Sequence, residues 1–114
     1  MRCLRLTHVN LRVDRLPEAL RFYGDVLGLE PIERGEKEGR GAWYRVGASE
    51  VHLTEDPTPQ PPSKRHFALE VDDLAEARRR ITAGGGALEK EEANRFWTRD
   101  PAGNRVEIVA APRP

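Results

Sequence analysis

His8-Val9-Asn10-Leu11-Arg12-Val13-Asp14-Arg15-Leu16-Pro17-Glu18-Ala19-Leu20-Arg21 and His66-Phe67-Ala68-Leu69-Glu70-Val71-Asp72-Asp73-Leu74-Ala75-Glu76-Ala77-Arg78-Arg79 agree at eight of fourteen positions without a gap. Gly28 matches Gly86 at the same offset of 58. Further on, Trp43 falls opposite Trp97, and Val51-His52-Leu53 opposite Val106-Glu107-Ile108, after a small length difference in the preceding turn. Self-similarity of this kind marks a duplicated unit.

Each copy begins as a half-buried strand. Over residues 4–13, Val9, Leu11 and Val13 alternate with His8, Asn10 and Arg12; strand side chains alternate between faces, so the polar set points away from the core. A helix follows from about Leu16 to Gly28, with Pro17 and Glu18 in its first turn and Ala19, Phe22, Tyr23 and Val26 at helical spacing. Short strands are expected near 30–34, 41–46 and 50–54. The second copy repeats the order: strand from His66, helix marked by Leu74, Ala77 and Ile81 and ended by Gly84-Gly85-Gly86, then strands near 87–90, 94–99 and 105–110. Asp100-Pro101-Ala102-Gly103-Asn104 supplies the turn between the last two.

The expected architecture is α+β: two β-α-β-β-β modules, 1–54 and 66–114, forming a curved mixed sheet. Residues 55–65 hold four of the nine prolines and form an extended linker. A module of roughly 60 residues buries too little surface to be comfortable alone, so the 114 residues form a single domain with a shared core.

Nineteen basic and nineteen acidic residues cancel, so nothing points to nucleic acid or an anionic membrane. No apolar stretch approaches the roughly 20 residues that span a bilayer, nor is there the apolar core of a signal peptide; a cytoplasmic location is the default expectation. The single cysteine, Cys3, excludes an internal disulfide framework.

All three histidines, His8, His52 and His66, occupy equivalent positions of the repeat, and Glu107 occupies the fourth. Parity places His52 and Glu107, like His8 and His66, on the face opposite the helices. If the modules pack as pseudo-twofold copies into one curved sheet, these four converge in a cleft. Imidazoles and a carboxylate suit one divalent ion, Zn²⁺, Ni²⁺, Co²⁺, Fe²⁺ or Mn²⁺, with coordination positions left for substrate.

At these residues the chain resembles the vicinal oxygen chelate superfamily, also called the glyoxalase, bleomycin-resistance and dioxygenase superfamily. The resemblance runs through Leu6–Val13, Phe22-Tyr23, Val26–Leu29, Val51–Leu53, Arg65–Val71 and Asp100–Glu107. It implies paired β-α-β-β-β modules, a metal held by His8, His52, His66 and Glu107, and chemistry on a small substrate chelated through adjacent oxygens. Glyoxalase I-like members usually carry Glu or Gln where His52 stands, which leaves Glu107 as the only carboxylate ligand to serve as catalytic base. The resemblance implies an isomerase or lyase of glyoxalase type; an extradiol dioxygenase, a thiol transferase and a non-catalytic drug-binding resistance protein are the alternatives. Asn10, Trp43, Arg45, Trp97 and Arg99 are the candidate substrate contacts, offering an aromatic wall and an anion clamp. A homodimer is expected, because a small domain with one curved sheet leaves apolar area and strand edges to cover. The linker permits module pairing either within one chain or between two.

Metal ligands must be deprotonated, so metal affinity is expected to fall as pH drops through the imidazole range near ~6.5. His8→Ala and His66→Ala are each expected to lower both metal content and the melting temperature of the metal-loaded protein. Elemental analysis checks this; unchanged stoichiometry in the double variant removes the assignment.

Overall fold

The computed structural model describes residues 1–112 apart from Glu36 and Glu38. In the first module β1 (His8–Val13) leads into α1 (Leu16–Leu20), which continues as a π-helical segment over Arg21–Val26. There β2 (Glu30–Ile32), β3 (Gly41–Val46) and β4 (Ser49–Glu55) follow. The second module comprises β5 (His66–Val71), α2 (Leu74–Ala83), β6 (Arg95–Arg99) and β7 (Arg105–Ala110). The order of elements follows the repeat, except that the second module has no strand matching β2 among the described residues.

The π segment is where the expected helix departs from α geometry. Leu27 N–H donates to the Phe22 carbonyl at 2.9 Å, five residues back, and Gly28 then ends the segment at φ 71°. A left-handed φ is natural for glycine and costly for other residues. Helix α2 starts more conventionally: Asp73 caps it by accepting from Glu76 N–H at 2.9 Å.

Two expected strand ends are trimmed and one expected strand is reduced to a bridge, each for a local reason. Residues 4–7 do not join β1, because β4 begins only at Ser49 and offers no ladder beyond the Glu50 N–H to Thr7 carbonyl bond. Strand β2 stops at Ile32, where its pairing with Trp43 ends. The segment 87–90 makes only an isolated bridge, Glu89 to Trp97, and Lys90 at φ 43° turns the chain out of extended geometry.

Each module makes its own mixed sheet, in the orders β1-β4-β3-β2 and β5-β7-β6. No ladder joins the two among the described residues, so the continuous curved sheet expected from sequence is here two sheets. Both first strands, β1 and β5, lie at sheet edges and run parallel to the last strand of their own module. The registers coincide: Asn10 pairs with His52 and His52 with Trp43, while Ala68 pairs with Glu107 and Glu107 with Trp97. Sequence repeat and backbone register thus agree residue for residue.

The modules meet through their helix-covered faces. One buried cluster draws Val13, Leu16, Ala19, Phe22, Tyr23, Tyr44, Val51 and Leu53 from the first, and Leu69, Ile81, Phe96, Val106 and Ile108 from the second. Polar bonds cross the same boundary. The Tyr23 hydroxyl donates to Asp100 Oδ2 at 2.7 Å, and Asn104 Nδ2 donates to the Arg12 carbonyl at 2.8 Å. Asp100 also accepts from the Ala102 and Asn104 N–H groups through Oδ1 and from Asn104 Nδ2 through Oδ2. A carboxylate that is only 4% exposed is therefore fully engaged.

Losing a hydrogen bond to a charged group costs roughly 1.5–3 kcal/mol, so Tyr23→Phe is expected to destabilise the protein by that amount in denaturant unfolding. An unchanged midpoint would show that the bond does not join the modules energetically. Burial, with help from Asp100, pushes the Tyr23 phenol well above its ordinary 10.0, and burial with Asp25 raises Tyr44. The unfolded chain releases these protons first. The linked stability is therefore intact below about pH 10 and is lost as pH rises toward the folded values. Phenolate absorbance at 295 nm should appear only above the ordinary range and together with unfolding; titration of the native state at the ordinary value would contradict the buried bond.

Candidate metal centre and substrate face

Parallel pairing of first and last strands sets two potential ligands side by side in each module. In the second, His66 Nε2 lies 3.0 Å from Glu107 Oε1, while His66 Nδ1 is 2.9 Å from the Lys64 carbonyl. A carbonyl and a carboxylate both only accept, so both contacts are hydrogen bonds only when each ring nitrogen carries a proton; with the Nδ1 proton kept on Lys64, Nε2 is the nitrogen turned to Glu107 that a cation would meet. Arg95 holds the other carboxylate oxygen, Nη1 to Oε2 at 3.0 Å. Glu107 is 7% exposed and thus pinned at both oxygens in a mostly buried position.

In the first module the pair is a stack. His52 lies between Trp43, at 4.0 Å between ring centroids and 3° between planes, and His8, at 4.2 Å and 19°. The cross-strand pair Trp43–His52 sets one contact; His8, two residues before His52's partner Asn10, supplies the other. His8 Nδ1 is 3.0 Å from Thr7 Oγ1, leaving Nε2 as its free ring nitrogen. His52 Nε2 is 2.8 Å from Glu50 Oε1. That bond, aided by the nearby Arg45 charge, holds the Glu50 carboxyl below its ordinary value.

The donor set has the chemistry of a divalent-metal site. Donor atoms bonded to one ion at about 2.1 Å and at right angles lie about 3.0 Å apart, which is the separation of His66 Nε2 and Glu107 Oε1. The stacked pair fits in kind but not in pose, because ring-nitrogen lone pairs lie in the ring planes and do not converge across a stack. One of the two rings must turn to share an ion with the other. Within one chain, moreover, the two pairs remain apart: no three His, Cys, Asp or Glu side chains gather to hold a metal among the described residues.

The candidate substrate contacts divide in the same way. Trp43 and Trp97 each lie beside the last-strand ligand of their module, with Lys37 5.6 Å from the Trp43 ring and Lys90 and Arg105 each 5.2 Å from the Trp97 ring. The buried indole N–H of Trp97 has no hydrogen-bond partner. Asn10 Oδ1 accepts from Thr54 Oγ1 at 3.0 Å, and Arg45 is exposed opposite Glu50. Arg99 is already committed to Glu89, Ser63 and Gly103, tying linker and hairpin turn together. Two neighbours escaped sequence reasoning. Glu50 and Arg95 each stand two residues before a named site residue on the same strand, so alternation alone would have put them on this face.

The chain belongs to the Glyoxalase/Bleomycin resistance protein/Dioxygenase superfamily, whose family model matches residues 5–108. Lactoylglutathione lyases of Neisseria meningitidis serogroups A and B are 30% identical to it, over 93% of this chain and 90% of theirs. The lactoylglutathione lyase of Salmonella typhimurium is 29% identical over 95% and 93%. Among solved structures, a glyoxalase-family protein from Bacillus anthracis superposes with a TM-score of 0.85 at 28% identity, covering 98% of this chain and all of that one. A glutamate-to-glutamine mutant of the fosfomycin resistance protein FosX of Listeria monocytogenes, solved with Mn(II) and 1S,2S-dihydroxypropylphosphonic acid, reaches 0.84 at 17% identity over 97% and 95% and shares the fold.

Proposed function

We propose that the protein is a divalent-metal-dependent isomerase or lyase of glyoxalase type, working as a homodimer whose modules pair between chains. The observation that carries this reading is the matched pair of half-sites: His8 with His52 and His66 with Glu107 occupy one repeat register, each beside a free edge strand, yet stay apart within a chain. Two half-sites on separate sheets are completed when the first module of one chain meets the second module of another. His8 and His52 would then hold the ion together with His66 and Glu107 of the partner subunit.

The bound ion would supply Lewis acidity, polarising neighbouring oxygens of a small substrate. Glu107 would be the chain's base: its carboxylate would take the C–H proton from the carbon beside the substrate carbonyl and return it to the carbonyl carbon, while the hydroxyl proton passes to the former carbonyl oxygen. Arg95 keeps one of its oxygens fixed, so the carboxylate cannot swing away. Trp43 and Trp97 form apolar walls that exclude water around the reacting carbons. The resemblance to lactoylglutathione lyases makes hemithioacetals of 2-oxoaldehydes the first substrates to assay.

Glu107→Gln is expected to lower turnover about 10²–10⁴-fold, the usual worth of a general base, with most of the metal retained. Equal turnover at matched metal occupancy eliminates the base. Pairing between chains has its own test: mixing a His8→Ala chain with a His66→Ala chain should restore metal binding in heterodimers, because one interface there keeps all four ligands. Failure of rescue in a confirmed heterodimer assigns pairing to a single chain, and a metal-bound monomer by light scattering defeats the dimer.

A further inference from the structure

His52 is the ligand position that departs from the glyoxalase pattern, and its ring is held on three sides. Trp43 covers one face and His8 the other. The edge is taken by Glu50, whose Oε1 lies 2.8 Å from Nε2. Glu50 is itself framed, opposite His8 on β1 and Arg45 on β3. The equivalent position in the second module is Arg105, opposite His66 on β5 and Arg99 on β6. There the last-strand ligand, Glu107, is held instead by Arg95, while Arg105 lies over the Trp97 ring, so only in the first module is the last-strand ligand bonded from this position.

We propose that Glu50 is a positioning residue that fixes the tautomer of His52, accepting a hydrogen bond from Nε2–H and leaving Nδ1 as the ring's metal-binding atom. A carboxylate accepts and does not donate, so a neutral His52 bonded to Glu50 carries its proton on Nε2. The remaining lone pair is then on Nδ1. Ligating histidines gain basicity and a fixed orientation when their other nitrogen donates to a carboxylate. The arrangement also replaces what the substitution at position 52 removed: a carboxylate stays in the first module, one position behind the ligand rather than bound to the ion. Glu50, His8 and His52 do not themselves gather into a metal-holding group.

The inference rests on the metal reading, but its first measurement does not. Long-range ¹H–¹⁵N spectra of the metal-free protein, at a pH where the rings are neutral, should show His52 as the Nε2–H tautomer. Glu50→Gln keeps an accepting oxygen and should preserve that tautomer, whereas Glu50→Ala should give a mixture. Zn²⁺ alone, titrated against a chelating dye, should then bind about 10–100-fold more weakly to the alanine variant, the usual cost of removing the group behind a ligand, and nearly normally to the glutamine variant. An Nδ1–H tautomer in the parent overturns the proposal, as does unaltered tautomer and affinity in Glu50→Ala. Equal loss of affinity in both variants assigns Glu50 to the ion or to bulk charge and also overturns it. If no variant or parent binds Zn²⁺, the metal reading fails while the tautomer result still decides what Glu50 does to His52.

Discussion

The buried carboxylate of Asp100 is the point on which the two modules close. Its oxygens accept from the backbone of the turn that follows, from Asn104, and from the phenol of Tyr23 in the other module. Burying an unpaired carboxylate would be prohibitive, so the turn, the π-helical segment that carries Tyr23, and the meeting of the helix faces are mutually conditional. Because that contact commits much of the helix side of each sheet to the shared core, the opposite side carries the polar candidates. There stand His8, His52, His66 and Glu107.

Most of this was legible in the chain because duplication wrote the same strand parity twice. The alternation of Val9, Leu11 and Val13 with His8, Asn10 and Arg12, repeated from His66, correctly gave the faces of β1 and β5, and the order of strands and helices gave the α+β class. What parity cannot encode is how two modules sit on each other. Packing into one curved sheet and packing helix face to helix face satisfy the same apolar pattern, and the choice lies in the Tyr23–Asp100 and Asn104–Arg12 bonds, between residues far apart in sequence. Lys90 shows a second kind of illegibility: nothing in its side chain announces the left-handed backbone that cuts short the expected strand at 87–90.

The candidate site divides along similar lines. Residue types and repeat positions were enough to select the four ligands for proposal, and the registers place them beside the strand neighbours that parity requires. The groups that orient them were less visible. Lys64 acts through its backbone carbonyl, which any residue there would offer, and Arg95 and Glu50 look like ordinary surface charges until strand pairing sets them against Glu107 and His52. The two half-sites therefore share a backbone plan and differ in electrostatic finish, with a carboxylate behind the first and a guanidinium behind the second.

The proline-rich linker has a consequence for how the open edge of β1 behaves. Gln60 Nε2 donates to the Arg12 carbonyl at 3.0 Å and Asn104 Nδ2 occupies the same oxygen, while on the inner side Asp56 N–H takes the carbonyl of Val13 and carries the β1–β4 ladder one bond further. Proline has no N–H to extend a ladder, so the chain that leaves β4 fastens itself at the end of this strand without lengthening the sheet. The Arg12 end of the edge is thereby blocked against indiscriminate strand addition, the usual route from an exposed edge to aggregation. The stretch still open begins at His8, so a strand recruited there would be laid beside the histidine end of the edge.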